Sequence, residues 1–161
     1  MAQIALIAPC DSLASIAAET ARHVNMDLRI ETALLGDAID VAKQLQSEGI
    51  QVFISRGGTA LVLQNAPELS LPVVEIRVTA YDVVRAMAKA KEFGPRIGVI
   101  GFENMVLGAS TLEAVLGATI KEFLLGSPNE IEDKVQSAIK QGVDALIGGV
   151  ITVKTAEKLN H

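Results

Sequence analysis

The stretch Ile97-Gly98-Val99-Ile100-Gly101 is a short apolar, β-rich run, and it restates Ile4-Ala5-Leu6-Ile7-Ala8 at a spacing of 93 residues. Gly142 follows Gly49 at the same spacing, and Ile54-Ser55-Arg56-Gly57-Gly58 falls opposite Ile147-Gly148-Gly149. Leu34-Leu35-Gly36 matches Leu124-Leu125-Gly126 at a spacing of 90, which a three-residue shortening of the preceding helix would produce. An internal repeat of this size means two copies of one supersecondary unit.

Between these anchors, short β-rich segments alternate with amphipathic stretches of helical period, the pattern of βα units around a parallel sheet. Strands are expected at Ile4–Ala8, Leu28–Ala33, Val52–Ser55, Val73–Ile76, Ile97–Gly101, Ile120–Leu124 and Ala145–Gly148. Helices are expected at Ser12–His23, Asp37–Glu48, Thr59–Gln64, Tyr81–Phe93, Thr111–Leu116, Glu130–Gln141 and Lys154–Leu159. Ser127 with Glu130, Thr79 with Asp82 and Ser110 with Glu113 have capping-box spacing.

Two βαβαβ halves can form one continuous sheet or two lobes. Two lobes are the preferred reading: residues 1–78 as the first, 79–161 as a connecting helix and the second, with a ligand cleft between them. Parallel sheets bind ligands outside the carboxyl ends of their strands, so paired lobes put two sets of loops around one cleft. The fold class is therefore α/β, two Rossmann-like (flavodoxin-like) parallel-sheet lobes.

Those strand ends carry the candidate binding residues. Ser55-Arg56-Gly57-Gly58-Thr59 leaves a strand and opens a helix. Glycines admit a ligand close to the backbone, the helix start offers N–H donors, and Arg56 can grip a carboxylate or phosphate in a fork. The same residues also make a tight turn with a solvated arginine. Thr79, Tyr81 and Asp82 follow the fourth strand; they can hydrogen-bond a polar ligand, or be a capping box and a half-buried aromatic. Asp11 and Ser12 lie after the first strand; either reads as an N-cap, and Ser12 is also a candidate ligand contact. Phe102 and Asn104 occupy the matching loop of the second half, and Gly148-Gly149 close the last strand.

Enzyme signatures are missing. There is no Gly-x-Gly-x-x-Gly after the first strand, no Gly-Lys-Ser/Thr phosphate loop and no Gly-x-Ser-x-Gly elbow. Cys10 has no His or Asn near it in sequence to activate it, and reads as a packed thiol. His23 and His161 have no partner at metal-ligand spacing and read as surface residues. No cofactor is expected.

Composition narrows the class further. The 161 residues are 50% apolar and 20% charged, which excludes a disordered chain, and the apolar runs are too short to span a bilayer. The single cysteine excludes an internal disulfide and suits the cytoplasm. A net charge of −5, without basic runs or aromatic platforms, argues against direct nucleic-acid binding.

The ordered set Val52-Phe53-Ile54-Ser55-Arg56-Gly57-Gly58-Thr59-Ala60, Pro72-Val73-Val74-Glu75-Ile76 and Thr79-Ala80-Tyr81-Asp82-Val83 resembles the N-terminal sensory domain of the propionate-catabolism activators, which are sigma-54-dependent transcriptional regulators. Ile7-Ala8-Pro9, Val99-Ile100-Gly101-Phe102 with Asn104, and Gly142-Val143-Asp144 leading to Gly148-Gly149 extend the likeness over nearly the whole chain.

This resemblance implies two lobes like those of type I periplasmic binding proteins, with an effector between them whose binding closes the lobes. The effector class it implies is a small organic anion, a methylcitrate-like tricarboxylate in the branch that gives the family its name. It also implies an ATPase domain and a DNA-binding helix-turn-helix in relatives. Neither lies in these residues, so an excised sensor or a stand-alone relative is expected. The fold it implies usually sends a further segment back to the first lobe after the helix that ends near His161. A homodimer is the commonest closed assembly. Two rivals stay open: an isomerase or lyase using Cys10, Tyr81 and Asp82 on an organic acid, and a docking or dimerisation module with an empty cleft.

Overall fold

The computed structural model describes residues 3–106 and 108–159, and His161 lies outside them. The chain divides into two compact units, Met1–Arg77 and Val78–His161. Each is a parallel α/β layer structure, and together they make the Rossmann-like two-lobed class that the repeat anticipates.

In the first unit the elements run β1 (Ile4–Ala8), α1 (Asp11–His23), β2 (Leu28–Thr32), α2 (Asp37–Ser47), β3 (Val52–Arg56), α3 (Gly57–Gln64) and β4 (Val73–Ile76). The sheet order is β2-β1-β3-β4, with every neighbouring pair parallel. A central parallel strand has both faces covered, so it reads as a continuous apolar run. In β1, Ala5, Leu6, Ile7 and Ala8 are all buried. Ala5 and Ile7 join Ala38, Ala42 and Leu45 of α2 and Phe53 and Leu63 in one core. The four- and three-residue spacing of the α2 members places them on one helix face.

The second unit continues with α4 (Ala80–Ala90), β5 (Arg96–Gly101), α5 (Glu103–Val106), α6 (Glu113–Leu116), β6 (Thr119–Leu124), α7 (Ile131–Lys140), β7 (Ala145–Gly148) and α8 (Val150–Lys158). Its sheet is three-stranded, β6-β5-β7, and all parallel. Met87 and Ala90 of α4 pack with Ile97, Val99 and Ile120 to form its core.

Strand register fixes the equivalence of the two units. Ile4 pairs with Leu28 and Val52, and Ile97 pairs with Ile120 and Ala145. The first and third strands therefore keep the 93-residue spacing, whereas the second strands are 92 apart. Leu124 stands where Thr32 stands, not where Leu34 does, which corrects the spacing of 90. A three-residue identity carries no register, whereas the hydrogen-bonded ladder does. The glycine match holds in detail. Gly49 and Gly142 have φ of +99° and +70°. Ile50 N–H returns to Leu45 C=O at 3.1 Å, and Val143 N–H to Ala138 C=O at 3.4 Å, ending α2 and α7 in the same way.

Several expectations need correction. The last helix begins at Val150, four residues before Lys154, and Glu103–Val106, expected as loop, is helical. Ser127 precedes a 3-10 turn, Pro128–Glu130, without capping it through its side chain, and Glu130 instead accepts Gly126 N–H at 3.3 Å. Ser110 and Glu113 do not cap each other, because Glu122 accepts Ser110 N–H and Glu113 accepts Ile120 N–H. At the start of α1, Cys10 rather than Ser12 or Asp11 is the N-cap residue, with no side-chain cap. The counterpart of α1 is itself broken: Gly108, at φ +85°, separates α5 from a 3-10 turn, Ala109–Leu112, and Gly117, at φ +58°, ends α6.

Candidate functional site

In the first unit no loop separates β3 from α3. Arg56 ends the strand and Gly57 opens the helix at φ +59°, a left-handed conformation that side chains disfavour. Gly57 is buried, and Arg56 and Gly58 are half-buried.

Two buried hydroxyls lock this turn. Ser55 Oγ donates to Ile7 C=O at 2.7 Å, tying the end of β3 to the end of β1. Thr59 Oγ1 accepts Leu35 N–H at 3.1 Å, tying α3 to the β2–α2 connection, where Leu35 itself has φ +52°. Thr59 is 2% exposed, so its hydroxyl positions the turn. On the neighbouring turn Ser12 is exposed and its Oγ lies 3.1 Å from Cys10 Sγ.

The second unit builds the same corner with different residues. Gly148 occupies the position of Ser55, and Thr152 the position of Thr59. Here the threonine supplies the tie between strands, Thr152 Oγ1 donating to Ile100 C=O at 3.4 Å. A Cβ on Gly148 would lie 2.5 Å from the Thr152 side chain, so the glycine makes room for that threonine. Gly149, the N-cap residue of α8, lies against α5: a Cβ there would be 3.3 Å from Met105 Cε. Phe102 is buried, and its carbonyl accepts Met105 and Val106 N–H at 2.9 and 3.2 Å. Asn104 is half-buried, with Oδ1 buried. Thus the Phe102–Asn104 turn and the Gly148-Gly149 turn are brought side by side.

Thr79 and Tyr81 have a different setting. Thr79 caps α4 reciprocally with Asp82: its Oγ1 accepts Asp82 N–H at 3.2 Å, and Asp82 Oδ2 accepts Thr79 N–H at 3.0 Å. Tyr81, expected to be half-buried, is 82% exposed because it points away from the face that carries Met87 and Ala90.

Shifted ionisations lie away from these turns. Arg96 at the amino end of β5 and Asp144 before β7 form a pair in which Asp144 Oδ1 accepts Arg96 Nε–H at 3.1 Å. That hydrogen bond, with the attraction between the charges, raises the arginine and lowers the carboxyl. For Glu122, burial is the largest single influence and pushes upward. Hydrogen bonds from Ser110 and Gly108 together outweigh it and hold the carboxyl below its ordinary range. These are fasteners of the second unit.

Sequence reasoning placed Ser55 and Thr59 in an anion site or a tight turn, and missed the buried partners that make Ser55, Thr59 and Thr152 fasteners. The available signal was the recurrence of threonine at the same repeat position, 59 and 152. Among the described residues no group of three or more His, Cys, Asp or Glu side chains is placed to hold a metal, and no helix is long and apolar enough to cross a membrane.

Comparison with known proteins agrees with this architecture. The chain superimposes on an NtrC family transcriptional regulator from Clostridium acetobutylicum with a TM-score of 0.75 and 30% identity, over 99% of this chain and 95% of that one. It shares its fold with the ABC domain of a Streptococcus pneumoniae protein solved in complex with L-Trp, at a TM-score of 0.56 and 15% identity, over 96% of this chain and 70% of that one. Residues 22–161, which include both strand-end corners, match the family model described as propionate catabolism activator. By that match the chain belongs to the propionate catabolism activator family, a family of transcriptional regulators.

Proposed function

We propose that this chain is the effector-sensing domain of such a regulator and binds a small organic anion of the tricarboxylate class. The observation that carries the reading is the β3–α3 corner. Arg56 stands at the amino end of a helix whose first residue is a left-handed, buried glycine, and Ser55 and Thr59 hold the corner in place from inside.

Backbone donors fixed before binding lose little freedom on binding, and a guanidinium beside them adds a forked, charge-assisted contact. In this reading the anion is gripped by Arg56, Gly57 and Gly58, with Ser12 on the adjacent turn. Phe102, Asn104, Gly148 and Gly149, together with Thr79 and Tyr81, complete its surroundings. Simultaneous contacts from both units are what allow a ligand to favour a closed state over an open one. The closed state then signals to an ATPase and a DNA-binding domain of the kind known in relatives, in the cytoplasm and as a homodimer, without turnover of the anion.

Thermal melting against citrate-like tricarboxylates, short organic acids, sugar phosphates and nucleotides tests this, because a ligand of the native state raises the midpoint. A concentration-dependent rise for one anion class, lost in Arg56→Ala, is expected. An Arg56→Ala protein that melts and binds like the parent would remove Arg56 from the site, and turnover of the bound anion would favour an enzyme.

A further inference from the structure

The two sheets present equivalent edges that are finished differently. β2 pairs only with β1 and β6 only with β5, so each ends its sheet. Ala33 N–H donates to Ala8 C=O at 3.0 Å, and Leu125 N–H to Gly101 C=O at 2.9 Å. Backbone groups alternate in direction along a strand, so those of Leu28, Ile30 and Thr32, like those of Ile120, Glu122 and Leu124, face the open edge.

In the second unit side chains close that edge. Glu113 accepts Ile120 N–H at 2.6 Å, and Glu122 accepts Ser110 N–H at 2.6 Å, which holds the Ala109–Leu112 turn against β6. Ile120 is buried there. In the first unit Leu28, at the register position of Ile120, and Ile30 are only half-buried, and Met26 is exposed. Ala18, Ala21, Arg22, Met26, Leu28 and Ile30 line a groove of about 500 Å³ between α1 and β2. Sheet edges are commonly blunted by proline, by bulges or by unbalanced charge. β2 pairs residue for residue with β1, contains no proline, and carries one cation and one anion, Arg29 and Glu31, which pair with each other.

We infer that the β2 edge is the interface with a second copy of this chain, the two β2 strands pairing antiparallel about a twofold axis at Ile30. Only residues that face the edge form hydrogen-bonded pairs, so neighbouring registers differ by two residues. With Ile30 opposite Ile30, Leu28 stands opposite Thr32, and Arg29 of each copy stands opposite Glu31 of the other in the closer, non-hydrogen-bonded positions. Sliding one strand by two residues either way sets Arg29 against Arg29 or Glu31 against Glu31, so charge selects a single register. The twofold axis keeps both α1 helices on one face of the joined sheet, where the Ile30 side chains meet and the two grooves run together. Such a contact closes on itself, so the edge is used up and offers no template to further strands. β1 separates β2 from β3, so this pairing leaves the β3–α3 corner unaltered and stands or falls apart from effector binding.

Sedimentation equilibrium of the chain tests the interface. The parent is expected to dimerise. Arg29→Glu and Glu31→Arg each set like charges opposite one another in both cross-strand pairs, and each is expected to weaken the dimer at least about tenfold. An equimolar mixture of the two variants restores opposite charges in both pairs and should form a heterodimer. Amide hydrogen exchange gives a readout that needs no variant and holds if either variant fails to fold: protection of Leu28, Ile30 and Thr32 should grow with protein concentration. A parent that stays monomeric at millimolar concentration, folded variants that dimerise as the parent does, or a mixture of folded variants that does not associate overturns the inference. Protection of the three amides that is unchanged by concentration also overturns it, and assigns the edge to the chain itself.

Discussion

Ser55 and Thr152 perform the same task from different places. In the first unit the strand residue Ser55 reaches the carbonyl of Ile7, which frees Thr59 to hold Leu35. In the second unit the strand residue is Gly148, and the helix residue Thr152 reaches back to the carbonyl of Ile100. The constraint that persists between the repeats is a buried hydroxyl on the end of the central strand, and the residue that bears it is free to change.

This comparison is broken most severely at Gly148. Gly148→Val places a side chain where Thr152 stands, and overpacking at the upper end of its usual range, about 3 kcal/mol, is expected in chemical denaturation. Thr152→Ala in the same chain should recover part of that loss, because it removes the obstructing atoms. Were the double variant as unstable as Gly148→Val alone, the glycine would be required for something other than room.

A smaller effect separates the threonines. Thr59→Val removes the acceptor for a buried N–H of Leu35 and should cost about 2 kcal/mol, whereas Thr152→Val gives up a longer bond to a carbonyl and should cost about 1 kcal/mol or less. Equal losses would mean that the two fasteners are equivalent after all.

The smallest difference is expected with pH. Asp144 and Glu122 in the second unit are held below their ordinary ranges, so they contribute stability above the unfolded carboxylate values, near pH 4, that is lost as pH falls through their lower folded values. Arg96 stays charged throughout that window. Melting of the second unit between pH 7 and 3, followed by its own amide signals, should fall, and Asp144→Asn should flatten the fall.

Much of this was legible in the sequence. β1, β4 and β7 lie where alternation and β-branching place them, and the paired glycines 49 and 142 announced the ends of two helices. The start of α8 was hidden because Val150, Ile151 and Thr152 are β-branched residues that read as strand or loop, and only packing against β7 makes them helical. Arg56, Gly57 and Gly58 marked a strand-to-helix corner through local chemistry alone, and β3 does pass directly into α3 there. The duties of Ser55 and Thr59 were illegible, since their partners lie 48 and 24 residues away and no local pattern encodes them.

The direct passage from Arg56 into Gly57 has a further consequence. A corner with no connecting residues has nothing with which to fold over a guest, so it works as an anvil rather than as a lid. Under the proposed anion-binding role, recognition there would be a matter of fit to a surface that the strand and the helix already hold in place.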